Sequence, residues 1–352
     1  MNQNKKIKER IIKKAETLIT ALKIMDSTGF RSLLVLDTND LFAGILSIGD
    51  IQRAIIKNIP LDTLVSDVLR QNPRIAHEDT PLGQIKEEML QYRMEFVPVI
   101  DNANHVKNIY FWDELFLDKK LPPQKLFNLP VVIMAGGSGS RLKPLTNVLP
   151  KPLIPIGEKT IIEEIFERFG NHGCNEFFVS VNYKAELIEY YLKNQNLPYK
   201  LNFFKEEKPM GTAGSLSLLK GRIDQTFFVN NCDILIEQDY SEILDFHRQN
   251  KNEITIVAAL KNYPIPYGVV ETGNNGTLLN IQEKPEFTLK INSGMYILEP
   301  NLLNEIPVNE FYYITQLIDK VRNREGHIGV FPVSEGSWKD IGSWEELKQH
   351  LG

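Results

Sequence analysis

Cysteine is nearly absent from this sequence: 352 residues hold two, Cys174 and Cys232, lying 58 positions apart. Such a pair supplies neither a disulfide framework nor metal-ligand spacing, so a reducing cytoplasm is the expected compartment. Histidine is scarce as well, six in all, with no H-E-x-x-H pattern and no two placed three or four apart. Zinc-assisted hydrolysis and histidine-based triads therefore lack their parts. No run approaches the ~20 apolar residues that cross a bilayer. Met1 to Lys14 is basic but leads into no apolar stretch of the signal-peptide kind, so no membrane attachment is expected. Nor does one sign of charge dominate: 40 basic and 45 acidic residues give a formal net charge of −5, and no nucleic-acid partner is expected.

What is present is ordinary for globular protein, 42% hydrophobic and 24% charged residues, in a chain long enough for two domains. The first third repeats itself. Leu18, Met25, Leu33, Val35 and Asp37 are matched 64 positions later by Leu82, Met89, Val97, Val99 and Asp101. Each copy reads as an amphipathic helix, a short apolar strand (Leu33–Leu36 and Phe96–Ile100), a polar turn, a second strand and another helix. This third resembles a tandem pair of CBS domains. The ligand signature of that family is kept in the first copy as Gly44-Ile45-Leu46-Ser47-Ile48-Gly49-Asp50. It is degraded in the second to Asn108-Ile109-Tyr110-Phe111-Trp112-Asp113. The resemblance implies an adenine-nucleotide site with Ser47 and Asp50 as its residues; the competing expectation is a pair that only packs or dimerises, making a homo-oligomer.

Residues 7–120 are thus expected to form the CBS pair, 121–130 a proline-containing linker, and 131–352 a second, catalytic domain. From Val131 onward strand-like runs alternate with helical patterns, which argues for a mostly parallel sheet covered by helices on both faces. Ligands of such sheets bind beyond the carboxyl ends of the strands. The run Val131-Val132-Ile133-Met134-Ala135 is followed at once by Gly136-Gly137-Ser138-Gly139-Ser140-Arg141. Glycines placed there let backbone N–H groups turn toward phosphate oxygens. Leu142 stands where a dinucleotide fingerprint needs its third glycine, and Ser140-Arg141 stands where a Walker A loop needs Lys-Ser/Thr.

The loop continues through Arg141-Leu142-Lys143-Pro144-Leu145-Thr146 to Pro150-Lys151-Pro152. The whole stretch resembles the G-G-x-G-S/T-R-L-x-P-L-T-x-x-x-P-K-P signature of sugar-1-phosphate nucleotidyltransferases. The resemblance implies a Rossmann-like, mixed but mostly parallel α/β sheet of the GT-A-like type. It also implies nucleotide contacts from Ala135 to Ser140 and catalytic roles for Arg141, at the triphosphate, and Lys151, at the reacting phosphates. The chemistry suits such cations: the nucleophile is a sugar phosphate already anionic near neutral pH, so the task is to offset repulsion between like charges.

Further elements are carried over in the same way. Asp233 follows a strand-like run, with Cys232 where the family has glycine, and Asp340 lies in Trp338-Lys339-Asp340-Ile341-Gly342, similar to W-x-D-I-G. Both are expected as Mg²⁺ ligands, a hard ion that prefers oxygen donors. Tyr267-Gly268-Val269-Val270, Glu283-Lys284-Pro285 and Asn292-Ser293-Gly294-Met295-Tyr296 resemble the sugar-side motifs. They imply sugar-phosphate contacts at Gly268, Glu283, Lys284, Asn292 and Gly294. Gly211-Thr212-Ala213-Gly214 resembles the base loop and implies nucleotide contacts at Gly211, Thr212 and Gly214. The ten residues after Gly342 leave no room for a hexapeptide-repeat acyltransferase domain, so none is expected.

The expected reaction joins a nucleoside triphosphate to a hexose-1-phosphate and releases pyrophosphate. The fusion to a CBS pair is similar to enzymes of bacterial surface-sugar pathways, among them the glucosamine-1-phosphate guanylyltransferases of legionaminic acid synthesis. GTP with glucosamine-1-phosphate is accordingly the first expectation. Mannose-1-phosphate with GTP, or glucose-1-phosphate with dTTP, UTP or CTP, stays open. A reading of another class is a nucleotide sensor whose second domain is a relic, but a relic has no need of Arg141, Lys151, Asp233, Lys284 and Asp340 together.

Overall fold

The computed structural model describes residues 7–116 and 125–350. The chain divides into two units, Met1–Gln124 and Lys125–Gly352. That boundary falls inside the expected linker, of which residues 121–124 lie outside the described part; so do residues 117–120 and 351–352.

The first unit holds two copies of one motif. Each pairs a short parallel strand with an antiparallel hairpin: Ile11–Lys13, Ser32–Leu36 and Phe42–Ser47 in one, Ala76–His77, Phe96–Ile100 and Val106–Phe111 in the other. The helices Leu18–Thr28 and Leu82–Tyr92 precede the hairpins, as the 64-residue repeat predicts. Leu34 and Leu36 of the first copy share a core with Phe96, Ile109 and Phe111 of the second. Arg10 ties the copies further: its guanidinium lies 3.7 Å from the Phe30 ring centroid and donates to Glu95 at 3.2 Å.

In the second unit seven strands form one sheet: β1 (Val131–Met134), β2 (Glu176–Val181), β3 (Lys200–Lys205), β4 (Phe227–Asn231), β5 (Ile254–Pro264), β6 (Glu286–Leu298) and β7 (Ile328–Val333). Their order is β3-β2-β1-β4-β6-β5-β7. Every strand runs the same way except β6, which is antiparallel to both neighbours. The apolar runs are continuous because both faces are covered. Val131, Ile133, Phe177, Val179 and Phe228 enter one core, while Val132, Phe178, Phe227 and Val229 enter another. Helices Ile161–Gly170, Ala185–Asn194 and Tyr240–Gln249 are amphipathic and bury their apolar stripes. The first is fixed at its start by a reciprocal Thr160–Glu163 capping box.

Asn292–Tyr296 lies within the thirteen-residue β6, with Asn292 itself exposed. One feature departs from the sequence reading. Residues 125–130, read as linker, join the core: Phe127 stacks on His172 and on Phe228, with centroids 5.5 Å away in each case.

Candidate active site

The signature segment leaves β1 and folds into three single turns, Ser140–Leu142, Leu145–Asn147 and Lys151–Leu153. Prolines at 144, 150 and 152 prevent a longer helix. Gly139 is needed twice over. Its φ is +63°, and a Cβ there would lie 2.8 Å from Thr146 Cγ2. At Gly136 a Cβ would lie 2.8 Å from Glu206 Oε1, whereas at Gly137 it would meet nothing within 4 Å. Ala135 is buried, and Ser138 and Ser140 are exposed beside that open space.

Burying Leu142 turns Arg141 outward toward two carboxylates. Its guanidinium lies 3.6 Å from Asp233 Oδ2 and 3.7 Å from Asp340 Oδ2. Lys151 is buried and pairs directly with Asp233. The two aspartates come from segments more than a hundred residues apart, joined because Ile234–Ile236 and Trp338–Asp340 form an antiparallel ribbon. Ile341 N–H then donates to Asp233 O at 2.9 Å, and Gly342 N–H donates to Asp340 Oδ1 at 2.8 Å. Gly342 closes the arrangement. A Cβ there would sit 2.5 Å from Arg141 Nη2, 2.5 Å from Asp340 Oδ1 and 2.8 Å from Asp233 Oδ2.

Thus Arg141, Lys151, Asp233 and Asp340 meet at the carboxyl ends of β1 and β4, where an open α/β sheet places its ligands. Among the described residues no three His, Cys, Asp or Glu side chains converge on a metal position. Two carboxylates suit an ion that takes its remaining oxygens from water and substrate phosphates, as Mg²⁺ does. Cys232 is a poor ligand for such an ion, which prefers oxygen donors, and burial holds its thiol up to about 12.

Gly294, with φ +89°, abuts this centre: a Cβ would lie 2.6 Å from Asn231 Nδ2 and 3.2 Å from Ile234 Cγ1. Asn292 accepts from Gly294 N–H at 3.1 Å. Gly268 and Glu283 belong together elsewhere, on an exposed ribbon in which Val269–Thr272 pairs with Leu278–Gln282. A Cβ on Gly268 would come within 3.0 Å of Glu283 Oε2. Lys284, at the turn that follows, is exposed with φ +44°.

The Gly211–Gly214 turn has a packing reason for its small residues that the sequence did not disclose. A Cβ on Gly211 would lie 2.7 Å from Tyr312 O, and one on Gly214 would lie 2.5 Å from Glu310 O. Ala213 and Gly214 N–H groups both donate to Tyr312 O at 2.9 Å, and Thr212 Oγ1 accepts from Ile314 N–H at 3.0 Å. Glu206 is the residue that sequence reading passed over. It is buried, accepts from Ser180 Oγ and from Met210 N–H (3.1 Å), and faces Gly136. Its signal was available: a carboxylate immediately after β3, at a ligand-binding end of the sheet.

In the first unit Ser47 and Asp50 make a reciprocal capping box at the start of helix Ile48–Ile56. Asp50 also accepts from Arg53 and from Arg70 Nε (2.7 Å); burial pushes its pKa up, but the hydrogen bonds from Ser47 and then Arg70 outweigh that and leave it lowered. The equivalent helix of the second copy, Trp112–Leu115, has no side-chain cap.

The chain belongs to the nucleotidyl transferase family, whose profile matches residues 130–350, and carries two CBS domain matches at 9–57 and 65–110. It is 33% identical over 223 residues to a mannose-1-phosphate guanyltransferase of Aspergillus oryzae, and 34% identical over 222 residues to the catalytic subunit beta of mannose-1-phosphate guanylyltransferase of Danio rerio. Each match takes in 61% of this chain and 61% of the relative, so the chain spans about three fifths of the length of these curated relatives. Among solved structures it is similar to HddC from Yersinia pseudotuberculosis, at 27% identity and a TM-score of 0.50, over 63% of this chain and 98% of that one. The same protein complexed with GMP-PN matches at 25% identity and a TM-score of 0.50.

Proposed function

We propose that the protein transfers a guanylyl group from GTP to a hexose-1-phosphate and releases pyrophosphate. The convergence of Arg141, Lys151, Asp233 and Asp340 over Gly342 is the observation that carries this reading. The sugar phosphate attacks the α-phosphorus in a direct displacement. Arg141 offers a planar fork to the triphosphate, and Lys151 a compact charge to the reacting phosphates. Both become available to substrate when their present carboxylate partners take up a cation. Asp233 and Asp340 are proposed to hold Mg²⁺. Bound there, the ion would offset charge at the reacting phosphates and on the leaving pyrophosphate.

Guanine is favoured by the guanylyltransferase relatives and by Glu206. A buried carboxylate has only acceptor sites, and the guanine edge presents N1–H and amino donors. The nucleotide contacts at Ala135 to Ser140, Gly211, Thr212 and Gly214 belong to this reading. Gly268, Glu283, Lys284, Asn292 and Gly294 are proposed on the sugar side. Glucosamine-1-phosphate remains the first sugar, on the fusion with a CBS pair, with Glu283 as a countercharge for its ammonium group. The names of the relatives favour mannose-1-phosphate as the alternative.

Pyrophosphate release over five nucleoside triphosphates and four hexose-1-phosphates tests the assignment. Turnover confined to GTP supports it, turnover with mannose-1-phosphate alone corrects the sugar, and no turnover with any pair refutes it. For the first unit we retain an adenine nucleotide at Ser47 and Asp50. Arg53 and Arg70, more than half exposed, would then leave Asp50 for the phosphates. Thermal-shift titration with AMP and ATP checks this; a shift equal in the wild type and Asp50→Ala would remove it. No helix among the described residues is long and apolar enough to cross a membrane. A reducing cytoplasm remains the proposed compartment, and self-association through the CBS pair the proposed assembly.

A further inference from the structure

The turn Asn182-Tyr183-Lys184, at the carboxyl end of β2, grips the signature segment at two places, its start and its middle turn. At the near end Tyr183 N–H donates to Gly136 O at 3.3 Å, and a Cβ on Gly136 would lie 3.3 Å from Asn182 Cβ. At the middle turn Tyr183 Oη donates to Thr146 O at 3.0 Å. Lys184 Nζ donates to two successive carbonyls, Asn147 O at 2.6 Å and Val148 O at 2.7 Å. The same turn reaches the base side, because Asn182 Nδ2 donates to Glu206 O at 2.7 Å. A fifth carbonyl of the segment, that of Lys143, is held from another direction by Trp344 Nε1 at 3.0 Å, two residues beyond Gly342.

Single turns separated by prolines offer no hydrogen-bond ladder, so their carbonyls need partners from outside. A lysine ammonium is suited to the end of such a turn, where carbonyls point outward and attract a cation. Lys184 has a backbone cost to meet as well. Its φ is 52° and ψ 37°, a left-handed conformation that favours glycine or asparagine. Neither of those could reach Asn147 O and Val148 O. The strained position thus holds the residue whose side chain spans the gap.

We propose that Tyr183 and Lys184, with Trp344, are positioning residues: they clamp the outer rim of the signature segment so that Arg141 and Lys151 on its inner side keep their places for the triphosphate. The effect is directed at the triphosphate half of the site, because the sugar-side residues Gly268, Glu283 and Lys284 stand on a separate ribbon.

The test rests on the proposed reaction for one readout and is independent of it for the other. With the substrate pair that the wild type uses, Lys184→Met should raise the KM for the triphosphate about tenfold. The KM for the sugar phosphate should stay within about twofold, and Lys184→Arg should restore most of the loss. Hydrogen exchange on the full chain, with inorganic tripolyphosphate as the probe, needs no turnover. Amides of residues 140–153 should exchange faster in Lys184→Met than in the wild type, with tripolyphosphate slowing them in the wild type. Exchange elsewhere should not change. If the wild type turns over no pair, the functional reading fails while the exchange experiment still decides the clamp. Unaltered exchange at 140–153, a parallel rise in both KM values, or faster exchange throughout the chain overturns it.

Discussion

Gly342→Ala puts the geometry of the charged centre to a direct test. Gly342 does not have a left-handed backbone, so alanine fits the main chain and the effect falls on neighbours alone. The added methyl would lie 2.5 Å from Arg141 Nη2 and from Asp340 Oδ1, and 2.8 Å from Asp233 Oδ2. Ordinary carbon–oxygen and carbon–nitrogen contacts are about 3.4 Å or more, so these groups must retreat by roughly 1 Å. Displacement of that size at a reacting centre costs on the order of 100-fold in rate, roughly 2.7 kcal/mol of barrier. The folded state should lose little, because Arg141 and Asp340 are partly exposed and can move outward. The assay is steady-state pyrophosphate release at saturating substrates beside a thermal melt. A kcat within threefold of the wild type, with the same melting temperature, would refute the placement of these groups around the reacting phosphates. A melting temperature lowered by ten degrees would show instead that the glycine serves the fold.

Four other outcomes are expected. Asp340→Asn should remove Mg²⁺-dependent turnover while denaturant unfolding stays near that of the wild type. Asp233→Asn should remove turnover and also cost about 3 kcal/mol of stability, because it strands the buried Lys151 ammonium; equal unfolding midpoints for the two would count against the buried pair. Glu206→Gln should lower kcat/KM for GTP about tenfold relative to UTP, since an amide places a donor where guanine also donates; an unchanged ratio would move base recognition elsewhere. Cys174 and Cys232, both held up to about 12 by burial, should resist Ellman's reagent at pH 8 until the chain unfolds. The unfolded chain releases these protons above about pH 8.5 and the folded one keeps them, so this contribution to stability falls as pH rises from there toward 12.

Much of this organisation is legible in the residues. The repeat of the first third gave its two copies because helix and hairpin each impose a period on apolar positions. Val131–Pro152 disclosed the loop because glycines, prolines and cations fall in one short window. Asp233 and Asp340 could be named separately, but their meeting rests on strand pairing across a long sequence separation, which local pattern does not encode. The reversal of β6 was hidden for a related reason: a buried strand carries the same apolar run whichever way it points. Gly211 and Gly214 carry a second reason for smallness that the residues alone do not show: the carbonyls of Tyr312 and Glu310 lie where side chains would be. Glu206 escaped notice because it stands among charged neighbours, Lys205, Glu207 and Lys208; its place just after β3 was the one signal, and its burial against Ser180 and Gly136 sets it apart.

The ribbon that joins Asp233 to Asp340 also has a consequence for when the molecule begins to work. A ribosome delivers the chain from its amino end, and domains form as their parts emerge. The last strand of the main sheet is complete at Val333, but the strand that brings the second carboxylate spans Trp338–Asp340. A nascent chain halted between those points would own every strand of the sheet and both Arg141 and Lys151, yet only one of the two aspartates. Competence would then wait for Trp338–Asp340 to be made, and proteolytic clipping just before Trp338 would leave the main sheet complete but without its second aspartate.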